Sequence, residues 1–231
     1  MAVAPWPCNG ASYTLLSTTL QVTEWETPAS RYAERVVGNY RLHVKQQFPG
    51  LRRMYGVDGF ICYDHKDPLP VMSLQELREG HWQDWMIDDP FNAIATQRYC
   101  EAYKGRVLTA GLGLGLAAHF LDENPKVTDV AVAEISPEVV ALVGPYCKAT
   151  VWNMDFWDAV GGGQWDGIFL DTWVTIGKEQ HDSVMEREVR PAYKRLRALC
   201  PDALINIFGF APYCDTDIQQ PAFAGATKTW R

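Results

Sequence analysis

GRVLTAGLGLGLAAHFL, residues 105–121, runs from a short apolar strand through alternating glycines into a helix. Gly111, Gly113 and Gly115 let the chain turn sharply at the strand end, and they let a ligand approach the backbone without meeting a Cβ. The helix that follows points its positive amino end at whatever lies over the turn. A tight turn alone would also use glycines, so the decisive point is the order strand, glycines, helix. The spacing is GxGxG rather than the GxGxxG of dinucleotide folds, with Leu116 where the third dinucleotide glycine would stand. That favours a nucleoside without a pyrophosphate.

Working outward, the same rhythm repeats toward the carboxyl end. TDVAVAEI reads as a strand, and Pro137 to Val143 as a helix with Ser136 as cap. ATVWN is a short strand and DFWDAV a short helix. WDGIFLDTW is an apolar strand ending in an acid, followed by a long helix kinked near Pro191 and by the strand ALINIFGF. Alternating strands and helices predict an α/β domain: a doubly wound, Rossmann-like parallel sheet covered on both faces.

Three acids sit where such a sheet presents ligands, at the carboxyl ends of its strands. Glu134 ends the second strand about twenty residues past the turn, where a carboxylate can accept both hydroxyls of a ribose; an acid favoured by the next helix's dipole is the alternative. Asp155 follows the third strand, placed to accept the amino hydrogens of a purine with Phe156 against the ring, or to cap the helix that begins there. Asp171 ends the fourth strand and can orient or deprotonate an attacking amine; a solvated acid or a cap is the alternative. Trp173, two residues on, is either a cation–π wall for an amine or a packing residue.

Taken together, AGLGLG, AVAEISPEVV, NMDFWD and WDGIFLDTW resemble the class I S-adenosylmethionine (SAM) dependent methyltransferase superfamily, over about Gly105 to Phe210. The glycine turn and EISPEVV look most like its spermidine synthase branch, whose members carry a β-rich domain ahead of the nucleotide fold. The resemblance implies SAM, or decarboxylated SAM, as cofactor, held by Gly111, Gly113, Gly115, Glu134, Ile135, Asp155, Phe156 and Asp171, with Asp171 as catalytic acid/base. The implied reaction is methyl transfer to a small molecule, an amine. Aminopropyl transfer and a non-catalytic SAM-binding protein are the alternatives. Two departures weigh against aminopropyl transfer. No Tyr-His-Glu precedes the turn, and Asp171-Thr172-Trp173-Val174 stands in place of Asp-Ser-Ser/Thr-Asp-Pro. With about twenty residues after ALINIFGF, the expectation is a shortened closing hairpin.

Ahead of Gly105 the character differs. Residues 1–72 read as a β-rich region, with strands in YTLLSTTLQVTEW and RVVGNYRLHV and a hairpin in RRMYGVDGFICYDH turning near Val57-Asp58-Gly59. Ser73-x-x-Glu76 is a capping-box pattern, and Asp89-Pro90 reads as cap and first position of a second helix. Together these predict a helical connector over 73–104, with the SAM domain over 105–231. Trp85, Asp88 and Asp89, just before that domain, are candidates for lining a pocket for a cationic substrate, against the plainer reading of a cap with packing aromatics.

Composition narrows the classes. The 231 residues carry 28 acidic and 21 basic side chains, net charge −7, which suits a small, cationic substrate and not a phosphate backbone, although RLHVKQQFPGLRR is a local basic stretch. No apolar run is long enough to span a membrane, and the amino terminus lacks the basic and apolar pattern of a secretory signal. Six scattered cysteines without a CxxC pair read as reduced thiols in a cytoplasmic protein. The histidines are scattered too, so no metal site is expected. The resemblance also admits a homodimer.

Overall fold

The computed structural model describes residues 19–22, 25–50, 52–56, 59–173, 178–210 and 213–216. The front half is built of strands: β1 (Thr19–Gln21), β2 (Arg35–Val37), β3 (Tyr40–Gln47), β4 (Arg52–Gly56), β5 (Gly59–Asp64), β6 (Leu69–Arg78) and β7 (His81–Ile87). The expected hairpin is β4–β5, whose last pair is Gly56 with Gly59; Val57 and Asp58 lie outside the described residues. β1 adds to β5 in parallel, making a three-stranded sheet. A second, antiparallel sheet has the order β2-β3-β6-β7.

Two local expectations are corrected. RVVGNYRLHV is not one extended segment but a hairpin, because Gly38 takes a left-handed φ of 54° and pairs Val37 with Tyr40 across a two-residue turn. Ser73-x-x-Glu76 opens no helix. It lies inside β6, where Ser73 is fully buried and its hydroxyl donates to Asp84 Oδ1 at 2.6 Å. β6 is an inner strand, paired on both sides, and that pairing overrides the local capping signal. Its return is the turn Glu79-Gly80, with φ of 51° and 79°, the primed geometry hairpins prefer. The β-rich segment therefore runs to Ile87, and the helical stretch before Gly105 is one helix, α1 (Pro90–Glu101). As expected, Asp89 caps α1, accepting from Asn92 N–H, with Pro90 at the first position.

The back half alternates as predicted: β8 (Gly105–Ala110), α2 (Leu116–Glu123), β9 (Val127–Glu134), α3 (Pro137–Val143), β10 (Thr150–Asn153), α4 (Phe156–Gly161), β11 (Gly167–Leu170), α5 (Lys178–Val184), α6 (Arg190–Leu199) and β12 (Leu204–Ile207). All five strands are parallel, in the order β10-β9-β8-β11-β12, so the direction of winding reverses beside β8. This is a doubly wound α/β sheet, and its switch point lies at the β8 and β11 ends. The long helix expected after β11 is interrupted by a π segment, Met185–Val189, in which Arg190 N–H donates to Met185 O. Pro191 explains it: proline has no N–H for the Arg187 carbonyl, and the wider turn absorbs the ring.

Strand alternation divides the interior. Val107, Val130, Val132 and Phe169 face one core together with residues of the front half, including Leu42, Tyr63 and Leu74. Leu108, Ala131, Ala133, Ile168 and Leu170 face a second core closed by α4 and α6. The front half thus shares one continuous core with the parallel sheet.

Asp88 ties the end of β7 to β6 and to the segment 25–27 within the front half. Its carboxylate accepts from Met72 N–H at 2.6 Å and from the Thr27 hydroxyl, while its carbonyl accepts from Trp25 Nε1 at 2.7 Å. Burial pushes its carboxyl up from 3.8 to about 6, against the lowering effect of the two donors. Folding therefore favours the protonated form. The stability Asp88 contributes is complete below its unfolded value near 3.8 and is lost as the pH rises through about 6. Asp88→Asn is expected to remove about 3 kcal/mol of that pH dependence. Denaturant midpoints at stepped pH check it, and an unchanged slope would contradict the assignment. Asp89 and Asp171 are raised by burial too, so part of the slope persists.

Candidate functional site

The glycine turn is fixed by its backbone. Gly111, Gly113 and Gly115 have φ of 85°, 52° and 72°, so each occupies the left-handed region. A Cβ on Gly111 would lie 3.1 Å from the Asp171 carbonyl oxygen, which brings the β8 and β11 ends into contact at the switch point. A Cβ on Gly113 would lie 2.6 Å from Met86 Sδ, and one on Gly115 3.2 Å from the Tyr32 hydroxyl. Two side chains of the front half thus sit directly on the turn. Met86 Sδ accepts from Leu114 N–H at 3.4 Å. The Tyr32 hydroxyl donates to Leu114 O at 3.0 Å, leaving its oxygen to accept from His119 Nε2 at 3.0 Å. Sequence reasoning missed Tyr32 and Met86, because their partners lie 82 and 28 positions away.

Glu134 stands at the end of β9 beside this turn. Its Oε2 accepts from Leu112 N–H and its Oε1 from Ser136 N–H, both at 2.8 Å. Each oxygen retains a lone pair for a further donor. Asn153, at the end of β10, donates to the carbonyls of Glu134 and Ile135 at 2.9 and 3.1 Å and so fixes the main chain there. Ile135 is 72% exposed and Met154 39% exposed, an apolar pair at adjacent strand ends. Asp155 caps α4, accepting from Trp157 N–H at 2.7 Å, and its side chain is exposed. Phe156 is half-buried and meets Trp157 edge-on at 5.3 Å.

Asp171 follows β11 across the switch point. Among the described residues no group donates to its carboxylate, and burial alone raises it from 3.8 to about 6. Trp173 is half-buried; its Nε1 donates to Glu188 at 2.8 Å and its ring meets Phe210 edge-on at 6.2 Å. Glu134, Ile135 and Asp171 are thus gathered round the turn at the strand ends.

The expected pocket of Trp85, Asp88 and Asp89 is corrected. Asp88 and Asp89 are 0% and 1% exposed, with their oxygens engaged inside the protein. Asp89 accepts from Asn92 and Tyr63, as Asp88 does from Met72 and Thr27. Both acids are structural: they are buried, and donors from the protein itself occupy their oxygens. Trp85 is the extra residue of a β-bulge between β6 and β7, and the Arg78 guanidinium already lies over its ring at 5.1 Å. One of its π faces is therefore taken by an internal cation.

No family model and no curated protein matches the chain. Solved structures do. One is the sugar N-methyltransferase KedS8 from Streptoalloteichus sp ATCC 53650, 18% identical over 52% of this chain and 48% of that one, TM-score 0.36. Another is the plantazolicin methyltransferase BpumL in complex with SAH, 14% identical over 62% of this chain and 60% of that one, TM-score 0.39. A third is human methyltransferase-like protein 13 in complex with SAH, 19% identical over 50% of this chain and 60% of that one, TM-score 0.32. The chain spans half to three fifths of the length of these structures.

Among the described residues no helix is long and apolar enough to cross a membrane, and no cluster of His, Cys, Asp and Glu is placed to hold a metal ion. Among the described residues, Cys100, Cys147 and Cys200 are free thiols.

Proposed function

We propose that this chain binds SAM across the glycine turn and transfers its methyl group to a small, cationic amine. The observation that carries the reading is Glu134: a nearly buried carboxylate at the second strand end, bonded to the glycine turn yet keeping acceptor capacity on both oxygens. The site's residues suit the group. Glu134 would take the ribose hydroxyls, Ile135 and Met154 would flank the purine, and Asp155 and Phe156 would meet its edge. SAM supplies an electrophilic methyl on a cationic sulfur. The chain's part is positioning, with Asp171 orienting the acceptor or taking its proton. A cytoplasmic setting, a homodimer and the absence of a nucleic-acid partner belong to the same proposal.

The antiparallel sheet ahead of the nucleoside fold favours a second reading, aminopropyl transfer from decarboxylated SAM. Calorimetric titration with SAM, decarboxylated SAM and SAH separates the two. Preference for SAM supports methyl transfer, preference for the decarboxylated form supports the alternative, and no binding by any of them rejects both.

Asp171 gives a sharper check. A sulfonium favours its ionised form, so SAM affinity should rise as the pH climbs through about 6 while SAH affinity, lacking that charge, changes far less. Near neutral pH, Asp171→Asn should cut the preference for SAM over SAH by about tenfold. An unchanged preference would remove Asp171 from the site.

A further inference from the structure

His181, on α5, is held in one orientation at the acceptor end of the sheet. Its imidazole stacks on Phe210 with centroids 4.5 Å apart and planes at 12°. Its Nε2 is 3.0 Å from the Gly209 carbonyl oxygen. A carbonyl only accepts, so in the neutral ring Nε2 carries the hydrogen and Nδ1 the lone pair. Gly209 and Phe210 lie just beyond β12, and Phe208 N–H donates to Leu170 O at 2.8 Å, which sets Gly209 close to Asp171 across the β11–β12 pair. The His181 side chain is 34% exposed, and Trp173 meets the same Phe210 ring edge-on. The elements packed there carry both signs: α5 has Lys178, Glu179 and Asp182, with Asp182 Oδ1 3.7 Å from Nδ1, the π segment has Glu186, Arg187 and Glu188, the last held by Trp173, and Asp171 ends the neighbouring strand.

We propose that His181 is the base of the transfer, accepting at Nδ1 the proton that a cationic amine must lose before it attacks. The proposal rests on the methyl-transfer reading of the site. In the step, an ammonium gives one proton to Nδ1, and the freed lone pair forms the new C–N bond. The C–S bond breaks and its electron pair stays on sulfur, which becomes neutral. The proton on the imidazolium then passes to water. The carboxylates of Asp171, Asp182 and Glu188 would attract the arriving cation.

Histidine-ring nitrogen NMR on the full chain tests this without an acceptor, with the His181 signal assigned by its loss in His181→Gln. The neutral ring should be protonated on Nε2. Saturation with SAM should move the His181 ring-nitrogen signals away from their positions in the SAH complex at the same pH, because only SAM brings a positive sulfur nearby. Equal positions in the two complexes, or a shift shared equally by His43 and His81, would overturn the base assignment while leaving the cofactor reading intact. If calorimetry finds that neither compound binds, both fail together.

Discussion

Replacing Glu134 with alanine is expected to weaken SAM binding by about 100-fold or more. The carboxylate is only 8% exposed and accepts one backbone N–H on each oxygen, Leu112 from the glycine turn and Ser136 from the start of α3. Alanine removes the ribose acceptors and also leaves two sheltered donors without partners, each costing about 1–3 kcal/mol when buried. Glutamine is not a mild substitute. Its amide has a single acceptor oxygen, so its NH2 would face one of the two backbone donors. Both variants should therefore lose affinity, with alanine the weaker binder. Calorimetry beside a thermal melt separates a lost ribose contact from a slackened turn. Retained affinity in a folded alanine variant would dismiss Glu134 as the ribose residue.

Gly167→Ala is expected to cause the largest loss of stability. A Cβ there would lie 2.3 Å from Tyr103 Cδ1 and 2.8 Å from Cε1. The Tyr103 ring is fully buried and its hydroxyl donates to Ile168 O at 2.8 Å, so it has little freedom to withdraw. Gly167 also pairs on both sides, with Val107 and Leu204, which denies the strand a sideways shift. Overpacking of this kind costs about 3 kcal/mol or more, a fall of roughly 10 °C in melting temperature for a chain of this size. An alanine variant melting within a degree or two of the parent would show that the Tyr103 ring can move aside.

The back half was legible in the sequence because its signals are local. Glycines after a strand, Ser136-Pro137 and Asp89-Pro90 each act within one turn of chain, and the observed caps at Ser136 and Asp89 follow them. The front half was less legible because its strands are decided by partners far away. Ser73 carries a good capping pattern, yet β3 and β7 claim it for a strand. Glu79-Gly80 turns a hairpin without the Asn-Gly or Asp-Gly that would announce it. At the site, the acids at strand ends could be read from position alone. What could not be read was whether an acid faces the cleft or the core: Asp88 and Asp89 are sealed by Thr27, Met72 and Tyr63, residues that only the tertiary fold brings near.

The clasp of Tyr32 and Met86 on the glycine turn binds the history of the two halves together. A domain swap cut at Gly105 would carry the turn away from the sulfur that accepts from Leu114 N–H and the hydroxyl that donates to Leu114 O. Transplanting the back half would therefore require bringing these two residues along. Position 113 is likewise held from two directions: its φ of 52° favours glycine, and any side chain there would have to push the Met86 sulfur off the turn.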